Sequence, residues 1–134
     1  MSINQNKYNL HSYFMRLALF QAQKIIGNTK ENPAVGCVIT KNNIVVSAGS
    51  TGINGRPHAE YNAIKIFNNK LDESTLYATL EPCSHYGKTP PCVKLIIKKK
   101  IKKVFFSIND PDPRSFKKSK FDLNKKKIKV IRGL

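Results

Sequence analysis

Apolar residues recur at helical spacing from about Leu10, through Tyr13, Phe14, Leu17 and Ala18 to Ile25, and Gly27 is a helix stop. Asn32-Pro33 then breaks the chain before a β-rich run at 35–40. Lys41-Asn42-Asn43 turns that run into a second at 44–48, which predicts a hairpin. Residues 51–57, with Gly52, Gly55 and Pro57, form a loop. A helix follows from His58 to about Asn68, its apolar side made of Ala59, Ala63, Ile64 and Phe67. Beyond it the pattern predicts a strand at 74–80, a loop at 81–91, a helix at 92–100 and a strand at 104–108 that Asp110-Pro-Asp-Pro113 ends. A basic helix at 116–126 and a last strand at 128–131 complete the chain, and no segment repeats another.

A hairpin followed by strands alternating with helices predicts an α/β fold with one mixed central sheet and helices on both faces. In such sheets ligands sit at the carboxyl ends of the strands. The loops there carry His58, Cys83 and Asp110, so the chemistry is expected in that crevice.

The length of 134 residues suits one domain with a core of its own. The longest apolar runs fall far short of a membrane span, and the N-terminus lacks the order of a signal peptide. A single cytoplasmic domain is therefore expected, covering 1–134 with 1–8 as a flexible N-terminus. Three cysteines, an odd number, argue against a disulfide framework and leave buried, catalytic and metal-bound thiols open. The net charge of +16 is unevenly spread: residues 1–92 carry +4 and residues 93–134 carry +12. A nucleic-acid footprint would explain that asymmetry. However, twenty of the 24 basic residues are lysine, whereas bidentate base contacts favour arginine, so a solvated lysine-rich surface is the better reading.

Pro57-His58-Ala59-Glu60 opens one predicted helix, and the stretch from Glu81-Pro82-Cys83 to Pro90-Pro91-Cys92 leads into the next. One imidazole and two thiols are ligands that zinc prefers, and three protein ligands leave a fourth position for water. Helix N-termini favour thiolate over thiol. Glu60 lies two residues after His58, about 200° around a regular helix, so the two converge only on something beyond the first turn. There Glu60 would serve as proton shuttle for a zinc-activated water rather than as a ligand. H-x-E also occurs by chance on surface helices, and cysteines nine apart also serve as packing residues. The conjunction of H-A-E at a helix start, P-C at a strand end and a second Cys opening the following helix favours catalytic zinc at His58, Cys83 and Cys92. A structural site would need a fourth ligand, for which His85 is the nearest candidate. Cys37 reads as a small buried hydrophobe and His11 as a surface residue.

These residues resemble the zinc-dependent nucleobase deaminases with their H-x-E…P-C-x-x-C signature. Eight residues, rather than two, separate Cys83 from Cys92. The stretch Thr79-Leu-Glu-Pro-Cys-Ser-His-Tyr-Gly-Lys-Thr-Pro-Pro-Cys92 resembles the deaminase domain of the bifunctional riboflavin-biosynthesis pyrimidine deaminase/reductase. So do Asn32-Pro-Ala-Val-Gly-Cys-Val38, Gly55-Arg-Pro-His-Ala-Glu60 and Asn109-Asp-Pro-Asp-Pro113. The resemblance spans residues 8 to 132. It implies a three-layer α/β/α cytidine-deaminase-like domain that hydrolyses the 2-amino group of 2,5-diamino-6-ribosylamino-4(3H)-pyrimidinone 5′-phosphate and releases ammonia. It also implies zinc on His58, Cys83 and Cys92, proton transfer by Glu60, and substrate contacts from Asn32, His85, Lys88 and Asp110. Turn chemistry for Asn32 and Asp110 and solvated charge for Lys88 are the competing explanations.

Three features depart from the family pattern: Thr51 where some relatives carry histidine, Asp112 where many carry asparagine, and a glycine-free segment at 114–120. Arg114 or Lys117 is expected to compensate for the added charge of Asp112. No glycine-rich nucleotide fingerprint occurs, so the family's reductase domain is expected to be absent. The chain would then be either an excised domain or a stand-alone deaminase. The expected partners are a phosphorylated pyrimidine, a reductase domain or protein acting next, and a second copy in a homodimer or larger assembly. Neither nucleic acid nor membrane is expected as a partner. The alternatives are a tRNA or other nucleobase deaminase that uses the basic surface, and a non-catalytic zinc-stabilised basic binding module.

Overall fold

Strand interiors alternate between two buried sets, and this alternation organises the molecule. The computed structural model describes the backbone of residues 3–134 and the side chains of residues 9–134. In chain order the elements are helix α1 (Ile3–Gln23), strands β1 (Gly36–Lys41) and β2 (Ile44–Ser50), helix α2 (Ala59–Ile66), strand β3 (Thr75–Leu80), helix α3 (Cys92–Lys98), strand β4 (Lys103–Ile108), helix α4 (Lys118–Lys125) and strand β5 (Lys129–Arg132). A 3-10 turn at Ile53–Gly55 interrupts the loop before α2.

The five strands form one sheet in the order β2-β1-β3-β4-β5. β1 runs antiparallel to β2 and β3, while β3, β4 and β5 run parallel, so the sheet is mixed as the pattern requires. Cys37, Ile39, Leu76, Ala78, Val104 and Phe106 point to one face, where they pack with Ala59, Ala63 and Ile64 of α2, Val93 and Ile96 of α3 and Leu123 of α4. Val38, Tyr77 and Phe105, one residue out of phase, point to the other face and meet Phe14, Met15 and Ala18 of α1. The result is three layers, with α1 alone on one face and α2, α3 and α4 on the other.

Two glycines set how closely helices approach the sheet. A Cβ on Gly36 would collide with the Ala18 carbonyl oxygen of α1, and one on Gly49 would lie 2.6 Å from the Ala63 nitrogen of α2. The β1–β2 turn places Asn42 and Asn43 at φ 54° and 62°, the positive values that a two-residue I′ hairpin needs.

α1 begins at Ile3, earlier than its apolar periodicity, because the polar residues ahead of Leu10 carry no such signal. The N-terminus expected to be flexible, 1–8, therefore overlaps α1 from Ile3, while residues 1 and 2 lie outside the described residues. Two readings on α1 are corrected. Tyr13, assigned to the apolar side, is 50% exposed. His11, assigned to the surface, is half-buried: its ring stacks on Phe105 at 4.4 Å, and its Nδ1 lies 2.6 Å from the Tyr77 hydroxyl. Cys37 is fully buried in the core, and burial pushes its thiol pKa well up. No helix among the described residues is long and apolar enough to cross a membrane.

Candidate active site

The carboxyl ends of β3 and β4 open into a cavity of about 840 Å³. The segments from four connections converge there: the turn around Asn32, the loop ending at His58, the long β3–α3 loop and the segment after β4. His58 is the N-cap of α2 and Cys92 the first residue of α3, so both side chains project from helix starts. Cys83 follows β3 in the intervening loop. The ligand atoms of these three residues all lie within 4.8 Å of one another. His58 Nδ1 is 3.5 Å from Cys83 Sγ and 3.6 Å from Cys92 Sγ, and the Cys92 amide donates to Cys83 Sγ at 3.2 Å.

The electrostatics of this triad suit a cation. The bond from the Cys92 thiol, followed by those from His58 and the Cys92 amide, outweighs burial and holds the Cys83 thiol low, near 4. Its bond to Cys83 and its burial push the Cys92 thiol up. The His58 pKa is raised, chiefly by its bond to Cys83. Glu60, 4% exposed on the first turn of α2, lines the same cavity; burial raises its pKa most, and the charge on Cys83 adds to this. One imidazole nitrogen and two sulfurs, one of them already favoured as thiolate, make a donor set that fits zinc and leaves a coordination position open.

The other sequence-predicted residues also reach the cavity. Asn32 is held by its side-chain amide, which donates to the Gly55 carbonyl at 2.9 Å, so it combines loop chemistry with a place in the wall. His85 is half-buried, with Nδ1 2.7 Å from the Ser115 hydroxyl. Lys88 is exposed at the rim. Asp110 Oδ1 accepts from the Asp112 amide at 3.0 Å, an Asx turn at the cavity wall.

Among the other lining residues, Arg56 and Glu81 were not singled out from sequence, Thr51 was marked only as a departure from the family pattern, and Arg114 was expected, as an alternative to Lys117, to compensate for Asp112. Thr51, 2% exposed, accepts from the Val35 amide at 2.9 Å and donates to the Pro33 carbonyl at 3.1 Å, bracing the turn that carries Asn32. Arg114 donates from Nε and Nη2 to both carboxylate oxygens of Asp112, with the shorter contact 2.6 Å. Glu81, 2% exposed, receives five hydrogen bonds from the segment after β4. Its position between a strand end and Pro82-Cys83 was a visible signal, but its bonding partners were not.

A mixed five-stranded sheet between helical layers, with H-A-E and two cysteines meeting at its carboxyl edge, places this chain in the zinc-binding cytidine and deoxycytidylate deaminase family, whose model matches residues 8–108. Within that family it is similar to the diaminohydroxyphosphoribosylamino-pyrimidine deaminase of Buchnera aphidicola (subsp. Acyrthosiphon pisum), at 42% identity over 91% of this chain and 83% of that protein. The riboflavin biosynthesis protein RibD of Bacillus amyloliquefaciens is likewise 42% identical, over 93% of this chain but 34% of its own length. The chain thus spans about a third of the length of that larger relative. In structure it is similar to a Thermotoga maritima diaminohydroxyphosphoribosylaminopyrimidine deaminase/5-amino-6-(5-phosphoribosylamino)uracil reductase, with a TM-score of 0.90 and 38% identity over 95% of this chain and 37% of that one.

Proposed function

We propose that this chain hydrolytically deaminates 2,5-diamino-6-ribosylamino-4(3H)-pyrimidinone 5′-phosphate, a step of riboflavin biosynthesis, with His58, Cys83 and Cys92 holding zinc. The observation that carries this reading is the convergence of three metal-ligand atoms within 4.8 Å of one another, two of their residues lining a cavity that Glu60 also lines. Bound there, zinc would supply Lewis acidity and bring the pKa of a water toward neutrality. A carboxylate oxygen of Glu60 would take one proton from the attacking water and give it to the ring nitrogen. It would then take the second from the resulting hydroxyl and deliver it to the amine, whose bond to carbon breaks as ammonia leaves and the carbonyl forms. Asn32, held by Gly55, offers its side-chain oxygen to the base. His85 and Lys88 meet the phosphate or ring oxygens as donors, and the free lone pairs of Asp110 accept from amino groups. Arg56 and Arg114 add positive charge to the same wall, which suits an anionic ligand.

The same proposal covers the organisation of the protein. Residues 1–134 act as one deaminase domain in the cytoplasm, a reductase domain or protein consumes the product, and the chain forms a homodimer or larger assembly. Exposed Tyr61 and Ile66 on α2, at 40% and 68%, supply apolar surface for that assembly. Sedimentation at working concentration is expected to show at least a dimer; a monomer would withdraw that part.

The deciding experiment is ammonia release from zinc-loaded protein, with the ribotide, cytidine, deoxycytidylate and a tRNA stem-loop as separate substrates. Turnover of the ribotide alone is expected. Glu60→Gln should lower it by roughly 10²–10⁴-fold while zinc stays bound, the worth of a positioned acid–base group. Deamination of the stem-loop alone, weakening steeply with salt, would instead make the lysine-rich surface the substrate platform.

A further inference from the structure

We infer that Glu81 is the positioning residue of the substrate pocket: its buried carboxylate holds the segment 109–119, and through it Asp110 and His85, against the ligand. The inference rests on the ribotide reading above. Burying a carboxylate is costly unless its oxygens are fully bonded. Among the described residues no lysine or arginine pairs with Glu81; the ion pairs found are Lys41–Asp72, Lys102–Glu73 and Arg114–Asp112. The compensation comes from one neighbouring segment instead. Oε1 accepts from Asn109 Nδ2 and the Asp110 amide, each at 3.0 Å, and from the Lys117 amide at 3.2 Å. Oε2 accepts from the amide and hydroxyl of Ser119, at 3.3 and 2.7 Å. The Glu81 amide itself donates to the Ile108 carbonyl at 2.9 Å, tying the ends of β3 and β4 together.

From that anchor a chain of bonds runs around the cavity. Asp110, fixed by its amide on Glu81, accepts from the Asp112 amide. The Asp112 carbonyl accepts from the amides of Ser115 and Phe116 at 2.9 Å. Ser115, fully buried, then holds His85 Nδ1 at 2.7 Å and accepts from the Ser84 amide at 3.4 Å. Between β4 and α4 there is no strand or helix to fix this stretch, two prolines interrupt it, and Lys117 sits at φ 60°. One carboxylate therefore sets the geometry of residues from two separate loops, although both its oxygens are turned to the 109–119 segment. Glu60, on α2, and the ligands His58 and Cys92, at the starts of α2 and α3, do not hang from this chain.

The test compares the full zinc-loaded chain with Glu81→Gln and Ser119→Ala by steady-state kinetics on the ribotide, zinc content and amide exchange. Glutamine keeps one acceptor but turns a donor toward groups that themselves donate. KM is expected to rise about tenfold or more in Glu81→Gln and about threefold in Ser119→Ala, with kcat within about threefold and zinc unchanged. The amides of Asp110, Lys117 and Ser119 should exchange faster in step with KM. A purely structural role would lower the unfolding midpoint and leave KM alone. Folded, zinc-loaded Glu81→Gln with wild-type KM, or a loss falling on kcat or on zinc content, overturns the inference. Ser119→Ala decides it in the same terms should Glu81→Gln not fold. Wild-type protein inert toward the ribotide overturns the substrate reading, and this inference with it.

Discussion

Asp112 brings a carboxylate to a cavity proposed for an anionic ligand, and Arg114 offsets it. The guanidinium spans both carboxylate oxygens, and its hydrogen bonds, those of its amide included, hold the Asp112 carboxyl well below the usual carboxylate range. Removing the arginine alone would leave that charge unpaired at the wall of the cavity. Arg114→Ala is therefore expected to raise KM for the ribotide about threefold or more at low salt, and less at high salt, where exposed charges are screened. Adding Asp112→Asn to Arg114→Ala should return KM toward the wild-type value; a double variant as impaired as the single one would show that Arg114 contacts the ligand directly. At this scale the sequence was informative where chemistry is written in residue type. His58, Cys83 and Cys92 stood out by spacing, and Asn32, His85, Lys88 and Asp110 by resemblance; six of the seven line the cavity, and Cys92, buried behind it, lies within 4.8 Å of His58 and Cys83. The part played by Thr51 was not legible, because a threonine's hydrogen bonds depend on which backbone lies beside it. Here that backbone is Pro33 and Val35, 16 to 18 residues away.

Elements were easier to read than their contacts. The strands and the expectation of helices on both sheet faces were legible, whereas the division of β1, β3 and β4 residues between the two faces comes from the structure. The packing of α1 was less legible: its polar His11 turns inward because Tyr77 and Phe105 offer a hydroxyl and a ring face. The burial of Tyr77 itself has a consequence at alkaline pH. Burial pushes the Tyr77 phenol up to about 12, against about 10 in the unfolded chain. Between these values the unfolded state releases a proton that the folded state retains, so stability present below pH 10 is lost as pH rises toward 12. Denaturant midpoints measured from pH 9 to 11.5 should fall more steeply for the wild type than for Tyr77→Phe. At pH 8 the variant should be less stable by about 1 kcal/mol, the worth of one hydrogen bond. Equal slopes would show that the buried phenol does not control this range.

For the whole molecule, the mixed sheet, its helical layers and the edge that carries the chemistry followed from the order of elements. What no local pattern contained was the wiring between distant segments. The bonds from Glu81 join residues 28 to 38 positions apart, and the bond from His85 to Ser115 spans 30. The charge asymmetry, conspicuous in the sequence, belongs largely to exposed lysines of α3, α4 and their flanks, apart from the few side chains at the cavity rim. The placement of the metal ligands has a further meaning for the chain as a polymer. His58 and Cys83 lie 25 positions apart, and Cys83 and Cys92 nine. An ion held by all three would act as a cross-link, closing two consecutive loops and removing conformations from the unfolded ensemble. Catalytic competence and resistance to unfolding would then rest on one inorganic knot, so that a cell short of zinc would lose this protein to unfolding and proteolysis as well as to inactivity.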